Sequence, residues 1–272
     1  MNIAVIGYGK MGKLIESLAL EQGDRVGAVV DPLYGPGTSA CGAAVYKTIP
    51  DMAAGTPGGV DVALEFTRPD TALDNIKALA ERRIPTVVGT TGWQDGLAEA
   101  GAAVEAAGSA LLWAPNFSLG VNLFYRIAAF AAALMDSFPD YDAAGYEIHH
   151  NKKADSPSGT AKSLAEIIIK NMGRKTTAVY ETLNRPPRPE ELHYGSLRLG
   201  AAPGVHTIMF DSPADSIEIT HSARNREGLV RGALLAAGWL IRRDEAGAPR
   251  RGVFTFDDVL AGILGRRPGS AA

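Results

Sequence analysis

The first half of the chain alternates short apolar runs with segments whose apolar residues recur at helical spacing. Strands that alternate with helices in this way favour a parallel sheet covered by helices on both faces. In such a sheet, ligands bind at the carboxyl ends of the strands, so the loops that follow the strands are the candidate site. The pattern predicts strands at Asn2–Ile6, Arg25–Val30, 62–66, Thr86–Val88 and Ala110–Trp113, with helices at 11–19, 69–80 and Leu97–Ala107.

The second half has a different order of elements. Its strands follow one another with fewer helices between them, and three prolines make residues 184–190 a loop. This pattern predicts a second domain of the α+β type with an open mixed sheet. The predicted helices are 119–134, 161–172, 229–240 and 256–264, and the predicted strands are 145–149, 196–199, 207–210 and 216–220.

A glycine-rich sequence connects the first predicted strand to the first predicted helix. Gly7-Tyr8-Gly9-Lys10-Met11-Gly12 has the form G-x-G-x-x-G, and Asp31 ends the next strand. The glycines allow a tight turn, close approach of a pyrophosphate and close packing of helix on strand. The helix N-terminus offers free N–H groups to phosphates, and an acid at position 31 can accept a hydrogen bond from a ribose hydroxyl. The alternative is a glycine turn in a sheet that binds nothing.

Two further loops follow predicted strands at the same edge of the sheet. They are Phe66-Thr67-Arg68-Pro69 and Gly89-Thr90-Thr91-Gly92. Their small and hydroxylic residues would suit a cofactor amide or ribose, but the same residue types are common in ordinary turns. With the glycine motif, they predict an α/β fold: a Rossmann-like doubly wound parallel sheet domain plus a second α+β domain with an open mixed sheet.

Composition narrows the class of protein. The chain has 272 residues and a net charge of -3, which gives no overall footprint for nucleic acid. Cys41 is the single cysteine, which excludes internal disulfides and favours a reducing, cytoplasmic location. The first residues resemble a strand more than a signal peptide. The apolar stretch 127–135 ends at Asp136, too early, we expect, to span a bilayer. No membrane or nucleic-acid partner is therefore expected.

The segment from Glu147 to Ala161 carries the most candidate chemistry. His149 and His150 lie within five residues of Lys152 and Lys153, and Ser158-Gly159-Thr160 then opens a helix. Exposed N–H groups and hydroxyls at a helix start favour anion binding, and a histidine beside lysines can donate a proton near neutral pH. Because neighbouring residues point in opposite directions, His149 and His150 should differ in role.

Each of these residues also has a simpler interpretation. Ser158 could be only a helix N-cap, and Lys152 and Lys153 could be a solvated surface pair. Zinc is a third interpretation of His149-His150, but adjacent histidines have poor geometry for one ion and there is no cysteine cluster nearby. We therefore expect no metal.

The motif Glu-Ile-His-His-x-x-Lys-x-Asp-x-Pro-Ser-Gly-Thr-Ala, from Glu147 to Ala161, resembles the signature of the dihydrodipicolinate reductases. The glycine motif and the two loops also resemble that family. Further similar segments occur in the right order along the chain, at Ala114 to Asn122, Arg198-x-Gly200, Gly204-x-His206-Thr207 and Glu218 to His221.

This resemblance implies reduction of 4-hydroxy-tetrahydrodipicolinate to tetrahydrodipicolinate, with NADH or NADPH as the hydride donor. It implies that His149 protonates the substrate and that Lys153 assists it. It also implies a small dicarboxylate substrate held by His150, Ser158, Gly159 and Thr160. The cofactor contacts it implies are Gly7, Gly9, Lys10, Met11, Gly12, Asp31, Phe66, Thr67, Arg68, Gly89, Thr91, Asn116 and Phe117.

The resemblance also implies domain roles and an assembly. Residues 1–119 would bind the dinucleotide, and residues 120–226 would bind substrate and form a homotetramer. Residues 227–272 would return to the first domain. Hinges are expected near 118–120 and 226–228, with the active site in a cleft between the domains.

One departure concerns the cofactor. Asp31 is followed by Pro32, where some members of the family have an arginine that grips a 2′-phosphate. We therefore expect NADH to be used at least as well as NADPH, with Lys10 able to soften the preference. Two rival functions remain: an NAD-sensing or scaffold protein without catalysis, and another two-domain dehydrogenase, such as one acting on aspartate.

Overall fold

The computed structural model describes residues 1–34, 37–53 and 59–265, which form two compact units. The first unit combines Met1–Ser118 with the segment that begins at Leu229, and the second unit is Leu119–Gly228. The boundaries expected after residues 119 and 226 lie within two residues of these positions.

The first unit contains an eight-stranded sheet in the order β13-β7-β6-β5-β1-β2-β4-β3. All neighbouring strands are parallel except β3, which pairs antiparallel with β4 at one edge. Its strands are β1 (Asn2–Ile6), β2 (Arg25–Val30), β3 (Gly37–Thr38), β4 (Ala44–Tyr46), β5 (Val62–Glu65), β6 (Thr86–Val88), β7 (Ala110–Trp113) and β13 (Gly252–Thr255).

Helices cover both faces of this sheet, as the alternating pattern predicts. Along β1, Ile3 and Val5 join one apolar cluster while Ala4 and Ile6 join another, because successive side chains point to opposite faces. The fold class predicted for this part of the chain is confirmed. The helices of the unit are α1 (Lys10–Glu21), α2 (Ile49–Ala53), α3 (Pro69–Glu81), α4 (Leu97–Ala107), α7 (Glu227–Ile241) and α8 (Phe256–Leu264).

The second unit contains a five-stranded mixed sheet in the order β12-β11-β8-β10-β9. β8, β10 and β9 are parallel, whereas β11 runs antiparallel to β8 and β12. This is the open mixed sheet that the sequence predicts. Its elements are α5 (Leu119–Asp136), β8 (Asp142–His149), α6 (Gly159–Asn171), β9 (Thr177–Val179), β10 (Glu191–Arg198), β11 (Val205–Asp211) and β12 (Ser216–Ser222).

The core of the second unit lies between its two long helices and the sheet. Phe124 of α5, Leu164 and Ile168 of α6, and Tyr194 of β10 are all buried in it. Gly145 makes room for the tyrosine, since a Cβ atom at this position would lie 2.4 Å from the Tyr194 ring. Residues on alternate positions of β8 are buried, which aims one face of this strand at the interior.

Helix α5 is, among the described residues, the one helix long and apolar enough to cross a membrane by length and composition. The apolar stretch before Asp136 was expected to be too short to span a bilayer. The whole helix, however, has 18 residues and rises about 27 Å, so its length does not exclude a span. Its buried residues, including Phe124 and Ala128, pack in the core of the unit. A core helix passes the same test, so this finding is weak evidence for a membrane.

Candidate active site

The glycine motif forms a tight turn between β1 and α1. Gly7 has φ +89° and donates its N–H to the carbonyl oxygen of Val30 at 2.8 Å. A Cβ atom at Gly12 would lie 2.1 Å from the Gly7 oxygen, whereas a Cβ atom at Gly9 would meet nothing within 4 Å. Gly9 begins the helix and supplies no side-chain cap. The start of α1 therefore has no side-chain cap and an open Cβ position at Gly9, which leaves room for an anion at this helix N-terminus.

Asp31 lies beside this turn at the end of β2. Its carboxylate accepts hydrogen bonds from the N–H of Tyr8 at 2.7 Å and from the N–H of Leu33 at 2.9 Å. The side chain is buried and these two bonds fix its position. Asp31 therefore joins the glycine loop to the loop after β2, besides any contact that it makes with a ribose.

A cavity of about 580 Å³ opens next to the turn and brings together six of the predicted cofactor residues. They are Gly7, Gly9, Asp31, Phe66, Thr67 and Arg68. The cavity is also lined by a cationic side chain, Lys47, which was not among the predicted cofactor residues. Its other lining residues include Pro32, Leu33, Thr48, Ile49, Thr71, Asp74 and Asn75.

The remaining predicted cofactor residues lie outside the lining of this cavity. Lys10 and Thr91 are exposed, Met11 is half-buried against the core, and Gly12 is buried in α1. The other three are Gly89, Asn116 and Phe117.

Phe117 and Gly89 instead support Phe66. Phe117 is 2% exposed, and its ring centroid lies 6.4 Å from that of Phe66 and 5.7 Å from that of Phe256. A Cβ atom at Gly89 would lie 2.1 Å from the Phe66 ring. The carboxamide oxygen of Asn116 accepts the N–H of Ser118 at 2.8 Å. Phe117 therefore packs against Phe66 and Phe256, a contact that the motif alone did not indicate.

A buried acid, Glu65, connects the two loops after β5 and β6. Its Oε1 accepts hydrogen bonds from the Thr67 hydroxyl and, at 3.1 Å, from the Asn75 amide. The N–H of Thr67 in turn donates to the Thr90 hydroxyl at 2.8 Å. Burial raises the pKa of Glu65, and the hydrogen bonds from Thr67, Thr90 and Asn75 oppose this rise only in part. No motif in the sequence pointed to Glu65.

In the second unit, Glu147 and His149 lie on the same face of β8, two residues apart. His206 pairs opposite Glu147 on the antiparallel neighbour β11, which places it on that face too. The Nδ1 atoms of His149 and His206 lie 3.3 and 3.9 Å from Oε2 of Glu147, and the two rings are 5.1 Å apart. All three side chains are buried.

The other oxygen of Glu147 is held by fixed donors. Oε1 accepts the N–H of Ser158 at 3.0 Å and the hydroxyl of Ser196 at 3.0 Å. The guanidinium of Arg198 contacts the same oxygen at 3.3 Å and also donates to the carbonyl oxygen of Asp155. Glu147 thus anchors the start of α6 and strand β10 while its second oxygen faces the histidines.

The charges around His149 oppose one another. Burial lowers the pKa of His149, the Glu147 carboxylate raises it, and Lys153 and Arg198 lower it further, so that the pKa lies below 6.5. Burial alone would raise the pKa of Glu147, but the hydrogen bonds from Ser158 and Ser196 and the positive charge of a protonated His149 bring it below its usual value. The site therefore favours an ionised carboxylate beside the imidazole.

The other predicted residues of this cluster surround the start of α6. Ser158 is the N-cap, and its hydroxyl accepts the N–H of Ala161 at 3.2 Å, so the simpler interpretation of this residue holds at least in part. Gly159 is exposed with open space around it, and Thr160 is half-buried. Lys153 pairs with Asp155 at 2.8 Å instead of standing free, and the imidazole of His150 is half-buried.

A metal ion is the alternative ligand for the buried cluster. Donor atoms of Glu147, His149 and His206 lie within 4.8 Å of one another, close enough to share an ion. The histidine pair that the structure brings together is thus His149 with His206, and not the adjacent His149-His150 that the sequence suggested. The expectation of no metal stays a prediction.

Glu147, Arg198 and His206 were not among the site residues predicted from the sequence. All three were part of the motifs that carried the family resemblance, and Glu147 lies two residues before His149. What the sequence lacked was the pairing of β8 with β10 and β11, which brings the three side chains together.

Comparison with known proteins supports the family resemblance that the sequence motifs indicated. The family model described as "Dihydrodipicolinate reductase, N-terminus" matches residues 1–117, and that described as "Dihydrodipicolinate reductase, C-terminus" matches residues 120–260. A 4-hydroxy-tetrahydrodipicolinate reductase of Christiangramia forsetii is 34% identical over 97% of this chain and 99% of its own length. One from Chromobacterium violaceum is 35% identical over 95% of this chain and 98% of its own.

A solved structure shares the fold. The dipicolinate-bound dihydrodipicolinate reductase of Paenisporosarcina sp. TG-14 superposes with a TM-score of 0.72 at 20% sequence identity, covering 94% of this chain and 97% of its own. At this identity the likeness shows the fold alone, while the family models cover almost the whole chain. The resemblance stated from the sequence is confirmed, and the chain belongs to the dihydrodipicolinate reductase family of oxidoreductases.

Proposed function

We propose that the protein reduces 4-hydroxy-tetrahydrodipicolinate to tetrahydrodipicolinate in lysine and diaminopimelate biosynthesis. Water is lost, and NADH or NADPH supplies the hydride. The observation that carries the proposal is a buried imidazole, that of His149, beside a carboxylate and two cationic side chains, in a chain of this family. The dipicolinate bound to the Paenisporosarcina reductase supports a small dicarboxylate as the substrate class.

In this proposal, the start of α6 holds a substrate carboxylate. The exposed N–H of Gly159, the Thr160 hydroxyl and the half-buried His150 are its contacts, with Ser158 as cap and contact at once. Lys153 exchanges its partner Asp155 for a substrate carboxylate. His149 gives a proton to the substrate after hydride addition. The residues of the second unit thus bind, orient and protonate.

The dinucleotide belongs to the first unit in this proposal. When bound, the cofactor supplies the hydride. The 580 Å³ cavity beside the glycine turn would take its adenosine end, with the pyrophosphate at the start of α1. Lys10, Met11, Gly12, Gly89, Thr91, Asn116 and Phe117, which lie outside this cavity's lining, would contact the rest of the cofactor directly or support it.

The proposed cofactor preference follows from Asp31. A carboxylate held in place by two N–H groups favours a neutral ribose 2′-hydroxyl over a 2′-phosphate, and Pro32 has no N–H to donate. We expect NADH to be at least as good as NADPH, with Lys10 or Lys47 reducing the difference. A kcat/KM more than about tenfold higher with NADPH, roughly 1.4 kcal/mol, would contradict this expectation.

The proposal includes a cytoplasmic homotetramer without nucleic-acid or membrane partners. The second unit carries exposed apolar side chains, among them Phe130, Leu197 and Leu199, that an assembly could cover. Light scattering on the purified protein tests this. A mass near four chains of 28.6 kDa is expected, and a monomer at micromolar concentration would contradict it.

Three substitutions test the catalytic assignment. We expect His149→Gln and Lys153→Ala each to lower kcat by about 10²-fold or more, through loss of a general acid and of a charged contact. Thr160→Ala should act mainly on KM, because a carboxylate contact is similar in ground and transition states. NADH binding, followed by fluorescence, should survive all three.

The assay monitors nicotinamide absorbance with the cyclic substrate, and with aspartate for comparison. Full turnover by His149→Gln across pH 6 to 8 would show that the proton comes from elsewhere. Formation of NADH from NAD⁺ with aspartate as the hydride donor, without turnover of the cyclic substrate, would favour the aspartate dehydrogenase alternative. Binding of NADH without any turnover would favour the sensor.

A further inference from the structure

Several buried polar side-chain atoms of the second unit have no hydrogen-bonding partner among the described residues, and three of them converge. They are Oε2 of Glu147 and the Nδ1 atoms of His149 and His206. Burying unpaired polar atoms is costly, so a cluster of this kind needs a reason. A proton shared between the carboxylate and an imidazole would remove the cost for two of the three atoms.

The two oxygens of Glu147 have separate surroundings. Oε1 is occupied by Ser158, Ser196 and Arg198, which fix the carboxylate with a backbone N–H, a hydroxyl and a charge. Oε2 lies near Nδ1 of both imidazoles, of which His149 is the nearer, and has no hydrogen-bonding partner among the described residues. Since Oε1 is saturated, the carboxylate cannot rotate away from His149 without losing these bonds.

The other edge of His149 has a different environment. A Cβ atom at Gly204 would lie 3.2 Å from Nε2 of His149, so a larger residue would crowd this nitrogen. Glycine leaves Nε2 uncovered by a side chain at this point. The ring thus presents Nδ1 to a fixed carboxylate and Nε2 to the space above Gly204.

We propose that Glu147 is a positioning residue that holds the proton of His149 on Nδ1, so that Nε2 is the atom that exchanges a proton with the substrate. The proposal rests on the proposed function, because it assumes that His149 is the proton donor. His206 acts as a neutral support: its ring packs edge-to-face on His149 and limits rotation of the imidazole.

The groups facing His149 come from four elements. They are Glu147 on β8, Arg198 on β10, His206 on β11, and Lys153 and Asp155 on the loop before α6. Of these, Glu147 is the anion nearest the ring, and it is fully buried. Removing its charge should therefore affect protonation of His149 more than any other single change.

The test is Glu147→Gln. A glutamine can still accept hydrogen bonds through its oxygen, but its NH₂ group would face Nδ1 of His149 and donate to it. The neutral imidazole would then carry its proton on Nε2, and the imidazolium would lose its counter-charge. We expect kcat to fall at least about tenfold at pH 7.5, with KM for the dicarboxylate within about threefold of the parent value.

The pH profile separates positioning from simple structural damage. Because the protonated imidazole is the active form, kcat falls as the pH rises through the pKa of His149. Loss of the carboxylate should move this fall to lower pH by about one unit. Glu191→Gln is the matched control, since Glu191 is another buried, ion-paired glutamate of the same sheet. The folded fraction of Glu191→Gln should show the same dependence of kcat on pH as the parent protein.

A direct measurement covers the case in which Glu147→Gln does not fold. Nitrogen-15 NMR of histidine-labelled protein reports which nitrogen of each of the five histidines carries a proton, and His149→Gln assigns the signal. A neutral His149 with its proton on Nδ1 supports the proposal. A proton on Nε2 in the parent protein overturns it.

Two further results would overturn the proposal. One is a Glu147→Gln variant with the parent pH profile while His149→Gln is inactive, which would leave the proposed function intact. The other is stoichiometric zinc in the purified protein that is absent from both Glu147→Gln and His206→Gln, because ligation would then explain the three convergent atoms. If both Glu147→Gln and His149→Gln are fully active, His149 is not the proton donor, and the proposed catalytic assignment is contradicted together with the role of Glu147.

Discussion

At the scale of single residues, two glycines of the same motif differ in whether the protein itself requires a glycine at that position. Gly12 is fixed by the protein, because a Cβ atom would lie 2.1 Å from the Gly7 oxygen. Gly9 is unconstrained by the described protein, because its Cβ position is open. If the space beside Gly9 receives a pyrophosphate, the constraint there comes from the ligand.

Gly12→Ala should therefore lower the stability of the protein, whereas Gly9→Ala should lower its affinity for the cofactor. We expect Gly12→Ala to lower the free energy of unfolding by about 2 kcal/mol or more, since the clash involves backbone. Gly9→Ala should keep the parent melting temperature but raise the Kd for NADH at least about tenfold. Calorimetry and fluorescence titration measure the two effects. Parent NADH affinity in Gly9→Ala would mean that the cofactor does not approach this position closely.

His206 links the buried cluster to the pH dependence of stability. Burial lowers its pKa from 6.5 to about 4, with Glu147 opposing the shift and His149, His221 and Lys153 adding to it. The native state therefore binds fewer protons at this site than the unfolded state between pH 6.5 and 4. The stability linked to a neutral His206 is complete above pH 6.5 and is lost as the pH falls towards 4.

Replacing His206 with a residue that does not titrate should remove this dependence. We expect His206→Asn to be less stable than the parent at pH 7, but to lose less stability on acidification. The difference in the free energy of unfolding should shift in favour of the variant by roughly 2–3 kcal/mol between pH 7 and 4. Urea denaturation at both pH values measures it, and identical pH dependence in the two proteins would contradict the prediction.

At the scale of elements, two helix starts offer a comparison of capping with binding. Ser158 caps α6 at the candidate substrate site, while Thr255 caps α8 in a capping box with Asp258. Both Ser158→Ala and Thr255→Ala should cost about 1 kcal/mol of stability, or about 2–4 °C in melting temperature. Only Ser158→Ala should also raise KM for the dicarboxylate. Unchanged KM would leave Ser158 as a cap alone.

The elements also show what the sequence could predict. Strands with four or more apolar residues between clear turn residues, such as β1 and β2, were predicted with their bounds. β4, β9 and β13 were not predicted, although β6 and β7 are equally short and were predicted with their bounds. β6 and β7 are buried along most of their length, whereas β4, β9 and β13 are largely half-buried or exposed. β10 begins at Glu191, five residues earlier than predicted, since its first part is buried by pairing with β9.

The residues of the candidate site also differ in whether the sequence could predict them. His149, Lys153 and the start of α6 are contiguous in sequence, so a motif could select them. Glu147 and His206 meet only through the antiparallel register of β8 and β11, and Glu65 meets Asn75 across a loop and a helical turn. Such contacts depend on tertiary packing, which one sequence does not display.

At the scale of the whole molecule, the two units differ in how they use the chain. The second unit, Leu119–Gly228, is continuous and has its own core. The first unit is not complete at Ser118, because buried residues of α7 and α8, among them Leu234 and Val259, belong to the same apolar cluster as Ile3 and Leu64.

Fragments should reflect this difference. We expect a fragment of Leu119–Gly228, about 110 residues, to unfold cooperatively as an isolated domain. Met1–Ser118 alone should lack a cooperative transition, since it exposes the apolar surface that α7 and α8 cover. Calorimetry and circular dichroism of both fragments test this. A cooperative transition in Met1–Ser118 near the parent melting temperature would contradict the prediction.

Because the first unit is discontinuous in the sequence, its two parts are synthesised at different times. A ribosome releases β1 to β7 first, then the whole second unit, and only then α7, β13 and α8. Until β13 emerges, β7 has an open edge, and the surface that α7 will cover meets solvent or other nascent chains. The second unit can therefore mature while the nucleotide-binding unit still waits for its last strand, which makes that interval the stage at which chaperones would be needed.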